Sequence, residues 1–478
     1  MRVYVRPTLA FSAVVILVLA LRGSFGFWPP ADHYGLVFFG AMAALAVAFT
    51  ATVMSDHVIE RGGGTKAFNA TDFLLTNVAL VLVGTNVLST GLLYADDGPA
   101  PAAVTFFALL GLIILVGFTV RYYRVIVWPG SRPEKDRSLV FFCIITLLVG
   151  FLFRERVLKT SPDPIVDVYA LARDNADHLL HGRNPYQNDI VSPYETKRAA
   201  CFGVGEPADP RPAAYPPHAF LAAVPFRLFG ADPRWPNVIG DMVAAIAVFG
   251  VAWKRGRPLT AYLAATIWLF IPRSSFIIEQ SWFEPMLAGL FGLGFSLSEN
   301  SGVRKWLGYI CLGLALTAKQ FGLPLLPALA WPHRKNWLPL LVGLATGAAV
   351  VLPFVLWSPS DFIDIVVTKH LGRPPQYHSI TVASTIFHFA GPEAVPDRKW
   401  LWIAAMLLIG AVSLFSPRDG AATALGLGTA LMIFSTFHTQ GFPNYFYLVE
   451  YLWLLGGVGL LPTVQPDTWR ESGHKPDV

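Results

Sequence analysis

Residues Ala103 to Val127 read AVTFFALLGLIILVGFTVRYYRVIV, and the first charge in that run is Arg121. A helix needs about 20 apolar residues to cross the hydrocarbon core of a bilayer. This stretch is long enough, and it has company. Similar windows fall at 8–28, 34–54, 73–94, 138–154, 236–253, 259–278, 284–298, 337–357, 399–416, 420–437 and 444–462. Two shorter ones, 305–318 and 321–332, meet at Lys319-Gln320 and predict a pair of short helices. A further apolar stretch, 217–230, opens on Tyr215-Pro216-Pro217 and is too short to span.

Composition agrees with the windows. Of 478 residues, 54% are hydrophobic and only 14% are Asp, Glu, Lys or Arg, against about 25% charged in a soluble domain. Such a chain has too little polar surface to wrap a soluble globule, and it reads as an all-α polytopic membrane protein. The three cysteines, Cys143, Cys201 and Cys311, are too few and too scattered for a disulfide framework or a metal site. The basic start Met1-Arg2-Val3-Tyr4-Val5-Arg6 precedes an apolar run with no small-residue cleavage site, so an uncleaved first helix is expected.

Basic clusters occur at Arg2/Arg6, Arg61/Lys66, Arg121 to Arg137, Lys254/Arg255/Arg257, Arg304/Lys305, Arg334/Lys335, Arg418 and Arg470/Lys475. The positive-inside rule places all of them in the cytoplasm if 217–230 is re-entrant or interfacial. The expected architecture is then about fourteen spans with both termini cytoplasmic, in a bacterial inner membrane. Its parts are an N-terminal five-helix segment (1–154), a large outer loop (155–235), central spans (236–357), a second outer loop (358–398) and C-terminal spans (399–478). The net charge of +5 is an orientation signal and not a nucleic-acid footprint. No Gly-Lys-Ser/Thr follows Gly62-Gly63-Gly64, so no P-loop is present to take a soluble nucleotide.

Polar residues capable of chemistry gather in the outer loops. From Pro164 to His181, apolar positions Ile165, Val168, Leu171, Ala172, Leu179 and Leu180 predict a helix along the membrane surface. Asp167 falls in its first turn, where the helix dipole favours an anion; the plain alternative is a dipole-compatible surface Asp. Gly182-Arg183-Asn184-Pro185-Tyr186 then reads as a helix stop, with Gly182 left-handed. Lys319, between two apolar stretches, is costly at that depth. It pairs either with a lipid phosphate or, structurally, with Glu279 or Glu284. Those two carboxylates flank Trp282 on a turn equipped to hold a sugar, or simply to hold itself. Lys369, His370, Arg373, Tyr377 and His378 form a basic, aromatic stretch suited to a phosphate, although a solvated loop would read the same. No His/Asp cluster has metal-ligand spacing.

Taken together, these motifs resemble the GT-C superfamily of membrane glycosyltransferases, in particular its bacterial family-87-like branch. The resemblance rests on an ordered set: Asp167, Gly182 to Tyr186, Tyr215 to Pro217, Ala231-Asp232-Pro233-Arg234-Trp235, Glu279 to Pro285 and Ala318-Lys319-Gln320. It covers about 155–460; the four spans before the loop-bearing one depart from the usual pattern. It implies inverting transfer of a hexosyl or pentosyl group, as in mannosyltransferase-like enzymes. The donor would be a polyprenyl-phosphate sugar and the acceptor a lipid or cell-envelope glycan on the outer face. In that scheme Asp167 is the base, with Asp163 as second candidate. Lys319, Arg373 and His378 meet the donor phosphate, and Asn184, Tyr186, Glu279, Trp282 and Glu284 line the sugar and acceptor site. No cofactor is required; a divalent cation is compatible, and no metal ligands are assigned. A secondary transporter or lipid flippase is the competing reading, since a broken helix pair and a buried lysine fit it too.

Overall fold

The computed structural model describes residues 2–22, 34–53, 58–60, 70–88, 92, 100–127, 137–193, 214–372, 379–418 and 420–463. Helices dominate it. The described β-structure is one short antiparallel pairing of Arg2–Tyr4 with Val58–Glu60.

Among the described residues, seven helices are long and apolar enough to cross a membrane: Thr71–Leu88, Pro101–Tyr123, Arg137–Thr160, Trp235–Lys254, Arg334–Trp357, Arg398–Phe415 and Gly420–Phe437. Val5–Leu21, Val37–Thr52 and Pro258–Leu269 are apolar but shorter. One expected window is broken where the sequence looked continuous. The window 259–278 is two helices, Pro258–Leu269 and Ser274–Glu279, separated at Arg273, which sits at φ 72. The windows 284–298 and 305–318 are helices of 15 and 16 residues. Hydropathy sums over such breaks because turn residues here are themselves apolar, as in Phe270-Ile271-Pro272.

At the centre stands Pro443–Gly459, every residue of which is buried. Against it pack the helices Val5–Arg22, Thr423–Phe437, Trp235–Lys254 and Glu284–Ser298. Tyr34–Val53 lies on Thr423–Phe437, and Ala70–Leu88 lies on Pro258–Leu269. The N-terminal helices thus share one apolar core with the rest of the chain.

Charges inside the bundle are more numerous than hydropathy implied. Arg154 and Asp241 are fully buried and paired at 2.6 Å. Arg154 also donates to the carbonyls of Gly150 and Leu269, at 3.0 and 2.9 Å. The Tyr447 hydroxyl donates to Asp241 at 2.9 Å. Four helices are joined by this one network: Arg137–Thr160, Trp235–Lys254, Pro258–Leu269 and Pro443–Gly459. Asp72 is likewise buried and accepts from Thr260 at 2.5 Å. A charge without a partner would be expelled from such a core; compensated by several donors, it fixes how the helices register.

Close approach of helices uses small residues, as is common in membranes. Gly302–Thr317 meets Trp337–Trp357 where Gly313 faces Gly343, and a Cβ on Gly313 would lie 2.0 Å from the Gly343 carbonyl oxygen. Backbone cannot retreat there as a flexible side chain could. Gly313→Ala gains under about 1 kcal/mol of helix propensity but incurs an overpacking cost of about 1–3 kcal/mol. A lower melting temperature in detergent is the expected result.

Candidate active site

The helix predicted over Pro164 to His181 forms as Asp167–Leu180, one face of which is buried through Val168, Leu171, Ala172 and Ala176. It packs on His218–Arg227, the helix that follows Tyr215-Pro216-Pro217. An ion pair locks the two helices together, and a glycine ends the first. Arg227 donates to both carboxylate oxygens of Asp177, at 2.9 and 2.8 Å. Gly182 adopts φ +68 and ends the helix in the left-handed turn its sequence predicts.

Asp167 opens this helix and is exposed, with its Oδ1 accepting from the amide of Val168 at 2.9 Å. Asp163, four residues earlier, is 66% exposed and lies 3.5 Å from Arg173. Both carboxylates therefore face solvent at the edge of the bundle.

What holds this loop in place is Arg234, which is fully buried. One of its nitrogens, Nη2, reaches the carbonyls of Ser161 and Leu158 at 2.7 and 3.1 Å, and Asp232 at 2.6 Å. The other, Nη1, reaches the Glu279 carbonyl at 3.3 Å. Its guanidinium also lies 5.1 Å over the ring of Tyr169, whose hydroxyl donates to the Pro162 carbonyl at 3.0 Å. One side chain thus ties the loop ahead of Asp167 to the turn at 279–284. A planar fork of five donors suits this task; a lysine would not span it. In one dimension Arg234 is legible only as part of an Asp-x-Arg element, since nothing there indicates three distant carbonyls.

The 279–284 turn points inward. Glu279 and Glu284 are fully buried and Trp282 is 5% exposed. The indole stands edge-on to Phe276 at 5.4 Å, and Gln280 donates to Glu279 at 3.2 Å. Glu284 starts the Glu284–Ser298 helix and forms an ion pair with Lys319. Asn444 donates to the same oxygen at 2.7 Å. Around the Lys319 ammonium stand the rings of Tyr445, Tyr215 and Phe321, at 4.6, 5.4 and 6.0 Å. Of the two partners open to Lys319 in the sequence, the structure selects Glu284. The lysine sits where the two short helices Gly302–Thr317 and Gly322–Ala330 meet, as their junction predicts.

Asn184 and Tyr186 serve the same corner differently. The Asn184 side chain accepts from the amide of Tyr186 at 3.0 Å, an Asx turn. Tyr186 is buried among Phe220, Phe354 and Phe362, and its hydroxyl donates to the Tyr215 carbonyl at 2.9 Å. Gln187 donates to Ser358 and Asp361, at 3.1 and 2.9 Å, joining the two long loops. Those hydrogen bonds from Ser358 and Gln187 hold the Asp361 carboxyl below its usual range.

Imidazoles near this corner are poor cations. Burial, aided by Arg183, lowers His178; burial pushes His218 down to about 4. His218 is therefore neutral at neutral pH. Arg373 and His378 lie outside the described residues. Their neighbour His370 stacks on His438 at 5.9 Å. Among the described residues, no group of three or more His, Cys, Asp or Glu side chains is placed to hold a metal ion.

Compared with known proteins, residues 213–439 match the family model of glycosyltransferase family 87. No curated protein and no solved structure matches the chain. The resemblance read from the motifs holds over this segment, which contains Arg234, the 279–284 turn and Lys319. It implies a glycosyltransferase. Asp163 and Asp167 precede the matched segment, and Arg234 and Asp177–Arg227 are the contacts that join them to it.

Proposed function

We propose that this protein is a GT-C-type membrane glycosyltransferase. It transfers a sugar, with inversion, from a polyprenyl-phosphate donor to a lipid or cell-envelope glycan acceptor. The observation that carries the reading is the seating of an exposed aspartate pair, Asp163 and Asp167, against the family-87 segment through Arg234. In this reading the chain makes about fourteen crossings of a bacterial inner membrane, counting the short helices, with both termini cytoplasmic. The surface helix Asp167–Leu180 and the re-entrant His218–Arg227 then lie on the outer face.

Asp167 takes the proton of the acceptor hydroxyl as that oxygen attacks the anomeric carbon. Asp163 is the second carboxylate within the same loop. The bond to the donor phosphate breaks as the new glycosidic bond forms, and the lipid phosphate leaves as a stable anion that needs no protonation. Positive charge favours that departure, and the basic stretch holding Arg373 and His378 supplies it. Lys319, compensated by Glu284, shapes the floor of the site together with Glu279 and Trp282, while Asn184 and Tyr186 fix its rim. No protein-bound cofactor enters the scheme.

Purified protein in detergent, given a lipid extract as acceptor, tests the donor class. Transfer is expected from polyprenyl-phosphate sugars and not from nucleotide sugars, and nuclear magnetic resonance of the product should show an inverted anomeric centre. Transfer from a nucleotide sugar would overturn the donor assignment. A retained configuration would overturn single displacement.

A further inference from the structure

A second feature lies beyond the helix Gly322–Ala330 from Lys319. A groove of about 620 Å³ opens between the helices Gly322–Ala330, Trp337–Trp357 and Arg398–Phe415. Ligand sites run from about 300 to 1,000 Å³, so the volume suits a bound molecule. Its walls are apolar, with Leu340, Leu344 and Leu414 among them. The hydroxyl of Ser413 is spent on the Ile409 carbonyl at 2.6 Å, leaving the depth of the groove without an open hydrogen-bonding partner.

The mouth is different. Trp331 and Trp337 are exposed there, and the Arg334 guanidinium lies 4.8 Å over the Trp331 ring while donating to its carbonyl at 3.0 Å. Lys335 follows, exposed, and Lys305 donates to Asn336 at 2.6 Å. Among the described residues, neither Arg334 nor Lys335 forms an ion pair. An apolar slot, two interfacial tryptophans and uncompensated cations at its lip match one kind of molecule: a lipid whose head is anionic.

We infer that this groove binds an anionic two-chain phospholipid, its acyl chain between Leu340 and Leu414 and its phosphate at Arg334. The site is separate from the one at Lys319, with the nine-residue helix Gly322–Ala330, about 13 Å long, between them. It depends on the chain lying in a membrane and not on the reaction proposed above.

Native mass spectrometry of the full chain in detergent tests it, with phosphatidylglycerol and phosphatidylcholine of the same acyl chains as probes. Wild type should retain one phosphatidylglycerol in preference to phosphatidylcholine. Arg334→Ala should weaken phosphatidylglycerol binding roughly fivefold, the worth of one juxtamembrane cation. Gly410→Phe should abolish retention of either lipid, because a Cβ at this groove-lining glycine meets open space and the ring extends from it into the slot. Leu341→Trp, at an exposed position on the groove wall, is a second blocking variant should the first fail to fold. Equal retention of both lipids by wild type overturns the assignment, as does undiminished phosphatidylglycerol binding in a folded blocking variant.

Discussion

Asp167→Asn is expected to lower the turnover number for sugar transfer by about 10²–10⁴-fold, the usual contribution of a general base, while the protein folds and melts as wild type. The asparagine keeps the shape of the side chain and an oxygen for the Val168 amide. It loses only the ability to take a proton. Because Asp167 is exposed at the start of its helix, the carboxylate contributes little to packing, and the helix dipole forfeits about 0.3–1 kcal/mol at most. Stability and activity should therefore separate cleanly. Asp163→Asn is the control: it has an ion pair with Arg173 at 3.5 Å, mostly in solvent, and its loss should cost far less activity. If the two variants exchange behaviour, Asp163 is the base.

Lys319→Met is expected to destabilise the protein by about 3–5 kcal/mol, since removing one partner of a buried ion pair strands the other. The stranded group would be Glu284, fully buried, with Asn444 as its remaining donor. Adding Glu284→Gln should recover most of the loss, because the amide keeps an acceptor for Asn444 without a charge. Thermal unfolding of the single and double variants in detergent measures both. A single variant that melts with wild type would show that the pair is not what holds Tyr215, Tyr445 and the two short helices together. In that event Lys319 would be available for a phosphate, as one of the two sequence readings had it.

The sequence revealed the local elements and missed the long-range ones. The helix Asp167–Leu180, its glycine stop, the short helix after Tyr215-Pro216-Pro217 and the helix break at Lys319 each leave a mark within a few neighbouring residues. Period, punctuation and a single misplaced charge suffice to read them. Arg154 and Asp241 leave no such mark, being 87 positions apart on windows that pass as ordinary spans. Arg234 is similar: its partners are carbonyls, which every residue has. The burial of the 279–284 turn was also hidden, since nothing in Glu-Gln-Ser-Trp-Phe-Glu says that the bundle closes over its two carboxylates. The break inside 259–278 was hidden for a related reason, because two helices joined through the apolar turn Phe270-Ile271-Pro272 give one continuous hydropathy peak.

The most direct test of the account is a single comparison. Wild type and Asp167→Asn would be incubated with a polyprenyl-phosphate sugar and a lipid extract as acceptor, and released polyprenyl phosphate separated by chromatography. The account predicts release by wild type and at least about a hundredfold less by the variant. Equal release by both proteins would contradict it.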